Sequence, residues 1–187
     1  MNTSFEAAIK VVLRHEGGWV SDPKDLGGET NFGISTLIIQ REGITNTQLG
    51  LPAGVDPVID GRAPGWLKSM KVEAAERIYR QLFWDRYGYA GIADQLVATK
   101  VFDCAVNCGP SRAHAMAQRA AAQCGAPCDV DGILGPNTFK AINASEPRAF
   151  VTAFAAEMRA HYERIIIARP ANEKFRSNWM KRAAWGT

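Results

Sequence analysis

A helix cut short by two glycines constrains this chain more than any other feature. Residues 3–16 place Phe5, Ile9, Val12 and Leu13 at helical spacing, with Thr3 or Ser4 available as the cap. Gly17 and Gly18 stop that period directly after Glu16. The next stretch, Trp19 to Ile34 or "WVSDPKDLGGETNFGI", has no helical repeat and is dense in Gly, Pro, Asp, Ser and Asn, so it predicts an extended turn or a small β-hairpin. Helical periodicity then returns: a short helix capped by Ser35 through Glu42, helices over 66–86, 93–107, 111–123, 136–143 and 147–168, and a basic, aromatic terminal helix. The glycine- and proline-rich connection over 43–65 is long enough to suggest a functional or mobile loop. The fold class expected is therefore mainly α, with one small β-hairpin after the first helix and no internal repeat.

Composition narrows the class of function. The 187 residues are 47% hydrophobic and 22% charged, as in ordinary globular proteins. A formal charge of +3 mildly favours anionic surfaces but is far too small, without a recognition-helix motif, to indicate a nucleic-acid binder. No apolar run approaches the roughly 18 residues of a membrane span. Glu6 and Lys10 interrupt any leader-like hydrophobic stretch, so synthesis in the cytoplasm without a signal peptide is expected. His15, His114 and His161 form no H-x-x-E-H or H-x3-H pattern, which argues against a zinc amidase. Cys104, Cys108, Cys124 and Cys128 make two C-x3-C pairs, readable as thiols, as disulfides or, with the least support, as a zinc site.

Glu16 is the first candidate for chemistry. At 100° per residue it lies about 20° from Phe5 and Ile9 and about 40° from Val12, so its carboxyl shares the apolar stripe. Lost hydration and the negative end of the helix dipole both disfavour ionisation there, as a general acid requires. Pairing with Arg14 or Lys24 at a frayed helix end is the plainer alternative. Asp22, Asp25, Glu29 and Thr30 follow in a turn that can fold back toward Glu16, although Asp22 and Asp25 also suit simple turn chemistry. Two facing carboxyl groups are the minimum for glycoside hydrolysis.

The stretch "HEGGWVSDPKDLGGETNFGIS" resembles the E-G-G-Y signature of glycoside hydrolase family 108, the muramidases of phage lysis cassettes and some secretion loci, with Trp19 in place of the usual tyrosine. "IYRQLFWDRY" is similar to that family's segment after the loop, and "VFDCAVNCGPSRAHAMAQRAA" with "DVDGILGPNTFKAIN" resembles its C-terminal peptidoglycan-binding region. The resemblance implies a lysozyme-like helical fold that cleaves between N-acetylmuramic acid and N-acetylglucosamine, with Glu16 as the catalytic acid and no metal or cofactor. The order of residues also resembles phage-type lysozymes, which would give Asp25 and Thr30 the task of holding or activating water, with Glu29 as the rival partner. The implied organisation is a catalytic lobe over 1–91 and a peptidoglycan-binding-like lobe over 92–187, forming one compact unit that shares a cleft.

Further residues join the substrate-binding set. Trp19 and Asn31 flank the motif's turn. Trp84 and Tyr87 offer a stacking wall for sugar rings, with core packing as the alternative. Asp103 and Asn107, four apart on one helix face, offer an acceptor and an amide at a cleft edge; a helix cap is the alternative for Asn107. Asp131 and Thr138 lie in "DVDGILGPNT", similar to the D-G-x-x-G-x-x-T turn of peptidoglycan-binding modules, where a hydroxyl and backbone amides can receive a stem-peptide carboxylate. From Glu157 to Arg182, seven Lys/Arg stand against three Glu, a basic face suited to wall polymer. The expected partners are glycan strands and peptide stems, met by a monomer in the periplasm or cell wall after passage through a holin or a transport route. A lytic transglycosylase and a non-catalytic wall-binding secretion helper are the rival functions. Retention or inversion depends on a carboxyl separation that residue spacing does not supply.

Overall fold

The computed structural model describes residues 3–19, 29–59 and 65–187. Among them are nine α-helices and a single two-stranded antiparallel sheet. They sort into two units: residues 9–82, and residues 1–8 together with 83–187. The start of the first helix groups with the later residues.

Within 9–82, helix α1 (Phe5–Glu16) buries Ile9, Val11 and Val12. Strands β1 (Thr30–Asn31) and β2 (Ile34–Ser35) form the hairpin, with Thr30 opposite Ser35 and Asn31 opposite Ile34. Ser35 then caps α2 (Thr36–Glu42) by accepting from the Ile38 N–H, and α2 closes on Gly43 at φ +61°. The connection after it contains a further short helix, α3 (Asn46–Leu49), nucleated by a reciprocal capping box between Thr45 and Gln48. The helix expected over 66–86 starts late. Trp66 turns aside to donate its indole N–H to Pro57 O at 2.8 Å, and α4 runs only from Val72 to Tyr79. It widens into a π-helical turn over Arg80–Asp85, a geometry often found beside functional sites.

In the other unit, α5 (Gln95–Cys108) is packed on nearly all sides, with every residue from Val97 to Ala105 buried. Helices α6 (Pro110–Gln123) and α8 (Pro147–Ala168) pack on it, α7 (Pro136–Ala144) packs on α6, and α9 (Arg176–Ala184) packs on α8. Proline opens α6, α7 and α8, where its missing N–H is not needed. Phe5, Trp84, Tyr89 and Phe102 form an aromatic core in which Trp84 and Phe102 meet edge-on at 5.4 Å. No helix among the described residues is long and apolar enough to cross a membrane.

Candidate active site

Glu16 is the last residue of α1, and Gly17 reverses the chain immediately at φ +73°. The hairpin leaves Phe32 and Gly33 as its two-residue tip, at φ +50° and +74°. Two successive left-handed residues match the twist of flanking strands and define a tight hairpin turn. Asn-Gly is the usual pair for that geometry. Here a phenylalanine takes the first left-handed position, the sole non-glycine residue with positive φ among those described. A bulky residue held there marks local strain that something must offset. Tyr79, the last residue of α4, supplies part of it by donating its hydroxyl to Phe32 O at 2.8 Å.

Gly33 is where these elements converge. A β-carbon on it would lie 2.5 Å from Tyr79 Oη, 2.6 Å from Glu16 Oε2 and 3.0 Å from Glu16 Cγ. The carboxyl of Glu16 and the phenol of Tyr79 therefore occupy the space that any side chain at 33 would need. One acid and one hydroxyl are fixed over a glycine by the ends of two helices and the tip of a hairpin, with Glu16 half-buried and Tyr79 buried. In the sequence Tyr79 stands only within the segment "IYRQLFWDRY", with nothing local to single it out.

The other expected residues of this region separate into distinct roles. Asp25, with Asp22, lies outside the described residues. Glu29 sits just before β1, and its Oε2 is buried without a hydrogen-bond partner among the described residues. Thr30 is half-buried in β1. Asn31 is 4% exposed and donates its amide to Leu67 O at 2.8 Å, so it ties the hairpin to the chain before α4. Trp19 is half-buried.

Residues expected at a cleft edge in the other unit are mostly interior. Trp84 is a core residue in the aromatic cluster, and Tyr87 is half-buried with its ring 5.3 Å from His114. Asp103 is 1% exposed and receives Arg182 Nε at 2.9 Å and Nη2 at 2.8 Å, a buried bidentate pair that docks α9 on α5. Asn107 is exposed, and its Oδ1 accepts from the Tyr162 hydroxyl at 2.9 Å. In the Asp131–Thr138 turn, Gln118 Nε2 lies 2.7 Å from Asp131 Oδ1 and 3.0 Å from Thr138 Oγ1, and Gln118 Oε1 accepts from the Gly132 N–H. Hydrogen bonds from the Ile133 N–H and Gln118 hold the Asp131 carboxyl below its ordinary pKa. Gly132, at φ +74°, passes so close to Ser111 that a β-carbon would lie 2.8 Å from its carbonyl oxygen. These polar side chains staple the turn against α6.

Residues 9–109 match the model of the family described as "Glycosyl hydrolase 108", and residues 112–184 match that of the "Predicted Peptidoglycan domain". No curated relative matches the chain. Among solved structures, the chain is similar to "Structure of Brucella abortus SagA", at 25% identity and a TM-score of 0.69, over 96% of this chain and 89% of that one. The first match covers more than half of the chain and contains Glu16, Gly33 and Tyr79. With its mainly helical, lysozyme-like fold and its peptidoglycan-domain segment, the chain belongs to the glycosyl hydrolase 108 family and is a glycoside hydrolase directed at peptidoglycan.

Proposed function

We propose that the protein is an N-acetylmuramidase that cleaves the bond between N-acetylmuramic acid and N-acetylglucosamine, with Glu16 protonating the leaving glycosidic oxygen. The observation that carries this reading is the convergence of the Glu16 carboxyl and the Tyr79 hydroxyl over Gly33. Such fixed placement lets a proton donor act without reorganisation in the transition state. The second role, activating water or stabilising the cationic transition state, falls to Asp25 or Glu29, with Thr30 orienting the water. Glu29 has its orphaned buried oxygen in its favour, since an unpaired buried acceptor costs about 1–3 kcal/mol and is retained where function needs it.

Replacing Glu16 by Gln is expected to abolish wall clearing while the protein stays folded; undiminished clearing would refute the role. Parallel Asp25→Asn and Glu29→Gln variants identify the partner by the larger loss of kcat. Mass spectrometry of the released muropeptides distinguishes hydrolysis, which leaves reducing ends, from a lytic transglycosylase, which leaves 1,6-anhydro ends. A wall-binding helper without catalysis would release neither. The substrate lies in the periplasm or cell wall, so delivery by a holin-type pore or a transport route accompanies this activity, in phage-type lysis or in protein release. Clearing of cells that express the protein only when a pore is co-expressed is the expected result.

A further inference from the structure

The four cysteines are free thiols, but their surroundings differ. Cys104 is fully buried in α5. Cys108, one turn later and the last residue of that helix, lines a cavity of about 440 Å³ with Arg112, His161, Tyr162, Arg169 and Trp179. No carboxylate is among the described residues lining this cavity, whereas two arginines and a histidine are. Cys108 Sγ lies 3.4 Å from Asn107 Oδ1 and 3.8 Å from Tyr162 Oη. A nucleophilic sulfur at the wall of a cationic cavity, with a second thiol behind it, is built to react with an anionic sulfur electrophile.

We propose that this cavity is a thiol-modification site: it takes a carboxylate-bearing low-molecular-weight disulfide, whose carboxylates meet Arg112 and Arg169 while Cys108 attacks one of its sulfurs. In that exchange the Cys108 thiolate forms a new S–S bond, the disulfide's own S–S bond breaks, and one ligand thiolate leaves with the displaced electron pair. Cys108 is oxidised and the departing ligand sulfur is reduced, so no other reactant is needed. Cys104 is a positioning residue that acts through Cys108. This site is independent of the hydrolase reading.

The charged and titratable groups around Cys108 act in one direction overall. A hydrogen bond with Cys104 is the largest influence, burial opposes it, and hydrogen bonding and charge from His161 together with a hydrogen bond with Tyr162 add to it. The thiol is lowered to about 5. Arg112 on α6 and Arg169 after α8 face the same cavity, while Asp103 on α5 is neutralised by Arg182 of α9. By contrast, burial pushes the Cys104, Cys124 and Cys128 thiols up.

The test uses the reduced full chain with dianionic 5,5′-dithiobis(2-nitrobenzoate), oxidised glutathione and dicationic cystamine. Absorbance follows the aromatic thiolate released and peptide mass mapping locates the adduct. One fast adduct is expected, on Cys108. Its rate should change by less than about twofold between pH 8 and pH 6, whereas a thiol of ordinary pKa slows roughly 100-fold over that interval because only its thiolate attacks. The combined Arg112→Ala and Arg169→Ala variant is expected to slow the dianion about 10-fold and to leave cystamine unslowed. Cys104→Ala should restore a steep pH dependence and Cys104→Ser should return the flat profile, since serine keeps the donor. A fast adduct on Cys124 or Cys128, a steep profile in the unaltered protein, or equal rates for anionic and cationic disulfides would each overturn the proposal. The mapping and the pH profile need no variant, so misfolding of one cannot shield the idea.

Discussion

Replacing Gly33 by Ala tests the candidate site while leaving Glu16 and Tyr79 themselves unsubstituted. At φ +74° an L-residue costs roughly 1–2 kcal/mol relative to glycine. The added methyl would also meet Tyr79 Oη at 2.5 Å and Glu16 Oε2 at 2.6 Å, well inside contact distance. If Tyr79 yields, its hydrogen bond to Phe32 O is lost, about 0.5–1.5 kcal/mol more. The sum is roughly 1.5–3.5 kcal/mol, or a fall in Tm of about 3–14 °C for a chain of this size. Gly43→Ala is the matched control, with φ +61° and nothing within 4 Å of the added carbon. Its Tm should fall by the backbone contribution alone. Activity separates the two further: displacing the acid by about 1 Å is worth roughly 100-fold in kcat, so Gly33→Ala should clear peptidoglycan about 100-fold more slowly and Gly43→Ala at the unaltered rate. Thermal melts and turbidity clearing of purified walls read both quantities. Equal Tm losses in the two variants, or Gly33→Ala clearing at the unaltered rate, would refute the placement of Glu16 and Tyr79 over Gly33.

Four other variants probe the unit that carries the peptidoglycan-domain match. Asp103→Asn should cost about 3–5 kcal/mol by stranding the buried Arg182, while the double variant Asp103→Leu/Arg182→Met should lie closer to the unaltered protein in denaturant titration than either single change. Trp84→Leu should lower Tm but leave KM for wall fragments unchanged, because the indole is 3% exposed within the aromatic core. Burial lowers Lys100 from 10.5 to about 8, while the ammonium donates to Ala183 O and Trp185 O. From pH 8 to 10.5 the unfolded chain then binds the extra proton, so this group's contribution to stability rises with pH across that window. Between pH 7.5 and 9 the unaltered protein should gain about 1 kcal/mol relative to Lys100→Met in urea titrations, and a difference that shrinks with rising pH would contradict the burial.

Local signals carried most of the helical framework. Asp94 caps α5 by accepting from the Val97 N–H, and prolines mark the first residues of α6, α7 and α8, each a feature that short-range chemistry dictates. The failures have a common cause. Trp66, Leu67 and Met70 fit a helical period, yet Trp66 is held by Pro57 and the helix waits until Val72. Asp103 looked like an edge residue because it is offset from one apolar stripe. Stripe reasoning presumes a helix with a wet face, and α5 has almost none; the partner that makes Asp103 tolerable inside, Arg182, is 79 residues away. Gln118 similarly converts Asp131 and Thr138 from a ligand-like motif into a stapled turn.

At the candidate site the division is sharper. Glu16 was legible because a helix end, a glycine pair and a turn-rich stretch are local features, whereas Tyr79 was not, because its role depends on a contact across 47 residues with Phe32. A signal that bears on both is nevertheless local in kind: "NFG" places a bulky residue where a hairpin tip ordinarily takes Asn, followed by the one residue that leaves room over its α-carbon. A left-handed phenylalanine is tolerated when an outside donor fixes its carbonyl, and Tyr79 is that donor. The same hydroxyl shares the space over Gly33 with Glu16, so the strain of the tip and the placement of the acid are one arrangement. Removing the phenol by Tyr79→Phe should therefore loosen Phe32 and Glu16 together, losing about 0.5–1.5 kcal/mol of stability and lowering kcat more than it raises KM. A Tyr79→Phe protein that melts lower but turns over normally would separate the two and leave the hydroxyl with a purely structural part.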